Sequence, residues 1–219
     1  MKTQFVFRRI VFVMLVLVLL CAAAAAYADG VPAAGSVVTF GHYEQDGNTE
    51  NGPEEIQWIV LDTDGDRVFL LSKYGLDAKQ YNVKYTRVTW ETCSLRQWLN
   101  STFLDSAFTA EEQEEIFLTD VDNSPEQTYE NGDNAEARVA PTAFAKGRRA
   151  WSKRELKTAD GDYAGRWWLR SMGRHPNRAA HVHSTGALRD SHVTSYNHLF
   201  GVMTVRPALW VKAEAVSGK

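Results

Sequence analysis

IQWIVLDTDGDRVFLL, residues 56–71, admits two opposed readings, and the choice between them sets the fold class. Asp62, Asp64 and Asp66 fall at the first, third and fifth places of a calcium-binding loop. That loop needs a glycine at its sixth place and a glutamate at its twelfth, where this chain has Arg67 and Lys73. The β-rich runs on either side, Ile56–Leu61 and Val68–Leu71, are instead joined by an Asp/Gly turn. Such a pattern predicts a β-hairpin.

Outward from the hairpin the chain divides unequally. Lys2, Arg8 and Arg9 precede an apolar run from Ile10 to Leu20, and Ala26-Tyr27-Ala28 follows. This is the pattern of a signal peptide over residues 1–28, with a mature chain from Asp29. An uncleaved anchor is the alternative, but the apolar run is short for a span. Cys21 does not make a lipoprotein site, because bulky Leu20 stands where a small residue is wanted. Export to the periplasm, cell surface or medium is therefore expected.

Residues 29–219 suffice for one domain with a sizeable core. Cys93 is their single cysteine, which excludes an internal disulfide, a redox pair and a cysteine-rich zinc knot. The formal net charge of −3 argues against nucleic-acid binding. The 7 Trp, 8 Tyr and 10 Phe suit many short strands with aromatic anchors.

A first strand is read over Ser36–Tyr43, and residues 46–53 form a polar loop. Leu95, Trp98 and Leu99 recur at helical spacing, predicting a short helix over Ser94–Asn100. Thr109 with Glu112 is a capping-box pattern, predicting a second helix through Ile116 and Phe117. Asp120–Arg138 reads as a polar loop; its Asp120, Asp122, Asn123 and Glu126 lack a calcium spacing. Lys146–Lys157, with Trp151, reads as a solvated basic face. Strand character returns at Trp167–Leu169, Ala180–His183 and Val202–Val211.

Four ordered stretches carry a resemblance. They are Phe40-Gly41-His42-Tyr43, Trp90 with Ser94-Leu95-Arg96-Gln97-Trp98-Leu99-Asn100, Trp167-Trp168-Leu169-Arg170-Ser171, and Val205-Arg206-Pro207-Ala208-Leu209-Trp210. In that order they resemble a bacterial, mostly exported domain family of unknown function. Its members look like distant relatives of the C-type-lectin-like fold shared with formylglycine-generating enzymes. The resemblance implies an α+β, C-type-lectin-like domain of short mixed strands, two short helices and long loops. The chain departs from the family pattern before Val139-Ala140-Pro141-Thr142, where an apolar strand is usual, and at Val202-Met203-Thr204 before Val205. The enzyme's cysteine pair for copper is absent, and so are the tripeptides of calcium-dependent sugar binding. Neither activity therefore follows from the fold.

Residues 174–202 hold five of the 6 histidines and three arginines. Three readings compete there. His181 and His183 stand at i and i+2 of a strand, so both reach one zinc ion, with His192 or His198 as third ligand and Asp190 behind; that is a metal-dependent hydrolase. A second reading is a structural surface protein with a polar loop and no small ligand. The third rests on what the window lacks: Lys, Glu, Gln, Trp and Met. Those are the five types that an Asn codon cannot yield when its first two bases are randomised. The composition resembles the variable region of proteins diversified by mutagenic retroelements.

The third reading is preferred: a non-enzymatic binding module that needs no cofactor and takes a macromolecular or surface ligand. Arg174, His175, Asn177, Arg178, His181, His183, Arg189, Asp190, His192, Tyr196, Asn197 and His198 are expected to face that ligand. Trp167, Trp168, Leu169, Pro207, Leu209 and Trp210 are expected to floor the site; Arg170 and Arg206 either anchor loops to buried carbonyls, the preferred reading, or touch the ligand.

Overall fold

The hairpin forms. In the computed structural model, β2 (Glu54–Asp64) pairs antiparallel with β3 (Arg67–Ser72), down to Asp64 opposite Arg67. Gly65 turns the chain at φ +62°, a conformation that costs a residue without Cβ nothing. The aspartates serve the hairpin itself: Asp62 accepts from the Thr63 amide at 2.9 Å, and Asp64 pairs with Arg67 across the turn. The structure describes residues 30–45, 48–121, 135–141, 156–157, 164–195, 197–198 and 201–217. The expected signal peptide, Asp122, Asn123, Glu126, Trp151 and Tyr196 lie outside them, as do the side chains of Asn197 and His198. Among the described residues no helix is long and apolar enough to cross a membrane.

Strands dominate, with short helices between them, as the α+β class requires. The hairpin lies in a five-stranded sheet with β1 (Val37–Tyr43) on one side. On the other are β14 (Pro207–Lys212) and then β7 (Ala140–Pro141). A second sheet is built around β9 (Ala164–Met172). Beside β9 run β10 (Arg178–Val182) and the edge strand β11 (Leu188–His192), all antiparallel. On its other side β13 (Gly201–Val205) runs parallel to β9 and pairs with β12 (Asn197–His198). Two short strands, β4 (Asp77–Ala78) and β8 (Leu156–Lys157), add to β13 and β9.

Four sequence expectations change. Val202–Val211 is two strands in two sheets, because the chain changes sheet at Arg206. Arg206, 5 % exposed, donates from Nε to the Ser72 carbonyl at 2.7 Å and lies over the Trp167 ring. It is the loop anchor expected of it. The first helix, α1 (Ser94–Trp98), runs through a π-helical turn over Leu99–Phe103 into α2 (Leu104–Ala107). The capping box at Thr109 and Glu112 forms, but α3 (Ala110–Glu114) stops before Ile116. Ile116 and Phe117 pair instead with β14, and Ile116 is buried there. Part of the expected 120–138 loop is strand as well: β5 (Thr119–Val121) pairs with β6 (Ala135–Ala137).

One core fills the space between the sheets and helices, with Phe40, Trp58, Trp90, Phe103, Trp168 and Leu209 in it. Two indole groups in it find carbonyls: Trp58 donates to Phe40 and Trp168 to Lys79. Alternation along β9 sends Trp167 and Leu169 the other way, into a small cluster with Ala180 and Val182. The expected floor is thus two floors, one on each face of the second sheet. Trp210 belongs to neither. It faces outward, half-buried, stacked on Phe69 with its ring centroid 5.0 Å away.

The recurring motifs also gain physical roles. Gly41 has φ +72°, and a Cβ there would stand 2.5 Å from the Phe108 ring. The Asn100 side chain donates to the Arg96 and Val139 carbonyls and accepts from the Arg138 and Val139 amides. It therefore ties the helical segment to the approach of β7.

Candidate functional site

The polar window folds over a connected scaffold. After β9, Gly173 donates to the Arg178 carbonyl at 2.8 Å and the Arg178 amide to His175, closing a tight turn. Only glycine fits at 173: a Cβ there would stand 2.8 Å from the Asp190 Cβ and 2.9 Å from the Arg178 Cβ. Asp190 holds the turn from the neighbouring strand. Its carboxylate accepts from the Arg174 amide at 2.9 Å and pairs with the Arg178 guanidinium at 3.3 Å. Arg178 also donates to the Asp190 carbonyl.

A second segment completes the site, and the sequence reading missed it. Residues 81–88 begin at buried Tyr81, whose hydroxyl donates to the Arg170 carbonyl. Asn82 follows: its amide donates to Val193, and its side chain bonds the Ser94 amide and the Lys84 carbonyl. The segment closes with Val88 donating to the Pro176 carbonyl at 3.1 Å. Between these fixed ends Val83 is 66 % exposed and Tyr85 58 % exposed. The available signal was the alternation Val83, Tyr85, Arg87 between the core residues Tyr81 and Trp90. It ends on a charged residue within five positions, too short a pattern to mark a packed element.

Together the two segments bound an open groove of about 670 Å³ lined by Tyr85, Thr86, Arg87, His175, Pro176, Asn177, Arg178 and His192. It brings together four of the expected face residues, His175, Asn177, Arg178 and His192. Arg174 is exposed beside it, and Asp190 supports it from below. Among the described residues no acidic side chain lines the groove, and Arg87 makes no ion pair.

Other expected face residues lie elsewhere. His181 is 2 % exposed and stands edge-on to Trp168, so it does not face a ligand in the groove. Burial, with the Arg166 charge nearby, lowers its pKa to about 4. His183 is half-buried, its Nε2 2.9 Å from Arg166 Nη2 and its Nδ1 3.2 Å from Thr185 Oγ1. Arg189 is exposed on the edge strand, opposite His181.

Among the described residues the zinc arrangement does not assemble, and the His198 side chain lies outside them. In the β10–β11 register His181 faces Arg189 and Arg178 faces His192, which puts His181 and His192 on opposite faces. His183 meanwhile offers its lone pair to a guanidinium. Among the described residues no group of three or more His, Cys, Asp or Glu is placed to hold a metal ion. Cys93 is no nucleophile: burial pushes its thiol up to about 11, and its sulfur caps α1 by accepting from the Arg96 amide.

Comparison with known proteins adds one match. A domain of unknown function, DUF6273, is found at residues 65–148. That stretch holds the Tyr85–Arg87 wall of the groove and the Ser94–Asn100 motif, and it ends before the His175–Arg178 wall. No curated protein and no solved structure matches the chain.

Proposed function

We propose that this chain is an exported binding module of C-type-lectin-like fold, and that the groove between residues 83–87 and 174–178, with His192, is its recognition face. The observation that carries the reading is the groove itself: about 670 Å³, open, floored by a clamped turn and rimmed by exposed Tyr85 and Arg87. Tyrosine, histidine, arginine and asparagine offer flat contact area and several donors at little entropic cost. Fixed strands and an Asp190-held turn supply the rigidity that such a face needs. The partner class is a macromolecule or a cell surface, because the groove is too open to enclose a small ligand.

The composition of residues 174–202 supports diversification by a mutagenic retroelement. His175, Asn177, Arg178 and His192 line the groove and are residue types that randomised Asn codons reach. The test is the surrounding DNA. A near-copy of this segment's coding sequence, differing only at adenines beside a reverse-transcriptase gene, is expected; a locus without one contradicts the diversification.

For binding, labelled parent protein is expected to saturate on intact cells or their shed surface material. A variant carrying Tyr85→Ser, Arg87→Ser, His175→Ser and His192→Ser is expected to lose that retention while keeping its fold. Equal retention by both proteins would place recognition elsewhere. Export is checked by sequencing the amino terminus of protein recovered from its host, with Asp29 first as the expected result and an intact Met1 as the contrary one.

A further inference from the structure

On the opposite face of the second sheet from His192, a separate cluster of basic side chains gathers. Registers of β9, β10 and β11 assemble it. His181 lies opposite Trp168 on β9 and opposite Arg189 on β11. Arg166, two residues before Trp168, and His183, two residues after His181, therefore share that face. The contact between Arg166 Nη2 and His183 Nε2, at 2.9 Å, confirms the placement.

These groups are buried with too few partners. Arg166 is 9 % exposed, and its Nε has no hydrogen-bond partner among the described residues. His181 is 2 % exposed, and neither ring nitrogen has a hydrogen-bond partner among the described residues. Arg166 forms no ion pair with a carboxylate among the described residues. Asp190, the acid next to His181 in the neighbouring strand, points to the other face and is held there by Arg178 and the Arg174 amide. Buried polar groups are almost always satisfied, and a buried cation without a counter-charge is costlier still. Something acidic belongs beside them.

We infer that Arg166, His181, His183 and Arg189 form a binding site for a small oxyanion of the phosphate or sulfate class. A metal ion does not suit the cluster, because a guanidinium already faces the His183 lone pair. A tetrahedral oxyanion suits it, because its several oxygens are acceptors and the cluster offers donors: Arg166 Nε, a ring N–H of His181 and the Arg189 guanidinium. The site is independent of the groove reading, since it lies on the other face and shares no side chain with it.

The experiment titrates the purified protein with sodium phosphate, sodium sulfate and sodium chloride at matched ionic strength. Calorimetry and the imidazole NMR signals of the histidines are followed together. Phosphate or sulfate is expected to bind saturably and to move the His181 and His183 signals with one midpoint, and chloride is expected not to. Phosphate and sulfate affinities, compared, tell which anion the site prefers. Arg166→Gln is expected to weaken binding by about tenfold through loss of a charge-assisted donor. Arg189→Ser, at an exposed position, is expected to weaken it by a few-fold at unchanged melting temperature, and decides the matter if Arg166→Gln does not fold. Absence of binding, an equal response to chloride, shifts confined to His175 and His192, or Arg189→Ser matching the parent would each overturn the site.

Discussion

His192 stands edge-on to Tyr85, with ring centroids 5.1 Å apart and planes inclined at 70°. The contact joins the last residue of an edge strand to a loop from the other half of the chain. Neither ring is buried, and the pair closes one end of the groove. Exposed aromatic contacts of this kind contribute little to folding, which leaves both residues available for recognition.

Gly41 is a close backbone approach in the first strand. At φ +72°, with the Phe108 ring 2.5 Å and the Ala107 carbonyl 2.6 Å from where a Cβ would stand, Gly41→Ala combines strain with a clash. A loss of about 1–3 kcal/mol is expected in urea denaturation. A loss below about 0.5 kcal/mol, the range of ordinary surface changes, would contradict the role given to it.

Asn100 joins two segments with one side chain, so its removal takes a partner from the Val139 carbonyl and from the Arg138 and Val139 amides, while the Arg96 carbonyl keeps the Leu99 amide. Asn100→Ala is expected to cost about 1–3 kcal/mol. Hydrogen exchange at the Val139 amide, which donates to Asn100, should quicken more than at strand amides of β2. Unchanged protection at Val139 would show that the clamp is not made in solution.

His181 sets a pH dependence. Its folded pKa, about 4, lies below the ordinary 6.5, so the unfolded chain takes up the proton first as pH falls. The stability that His181 contributes as a neutral group is complete above about 6.5 and is lost between there and about 4. On the order of 1–3 kcal/mol should disappear over that interval. Denaturation of His181→Leu beside the parent at both ends of the interval is the check: the variant's stability should fall less. Parallel losses in both would assign the acid sensitivity to other groups.

Much of the scaffold was legible because it depends on local rules. The Asp/Gly hairpin, the capping box at Thr109 and the apolar spacing of Leu95, Trp98 and Leu99 each encode their element within a few residues. Non-local pairing hid the rest. Ile116 leaves its helix because β14 is there to receive it, and Arg206 splits a strand because Ser72 holds it from across the sheet. The site was half legible for the same reason. His175, Asn177, Arg178 and His192 stand out by composition, but Tyr85 and Arg87 enter only through the Val88–Pro176 and Asn82–Val193 hydrogen bonds. His181 was misplaced because residue type alone does not say which face of a strand is covered.

The central claim is that the groove side chains are spare for folding and serve recognition, and chemical denaturation of two variants beside the parent tests it most directly. One carries Tyr85→Ser, Arg87→Ser, His175→Ser and His192→Ser, all at exposed positions. The other carries Trp167→Ser, Trp168→Ser and Leu209→Ser, all at positions no more than 3 % exposed. The groove variant is predicted to stay within about 2 kcal/mol of the parent, at roughly 0.5 kcal/mol for each exposed change. The floor variant is predicted not to fold, since truncating even one buried Trp costs about 3–5 kcal/mol. A groove variant that unfolds as readily as the floor variant would mean that these side chains are core, and the recognition face would be lost with it.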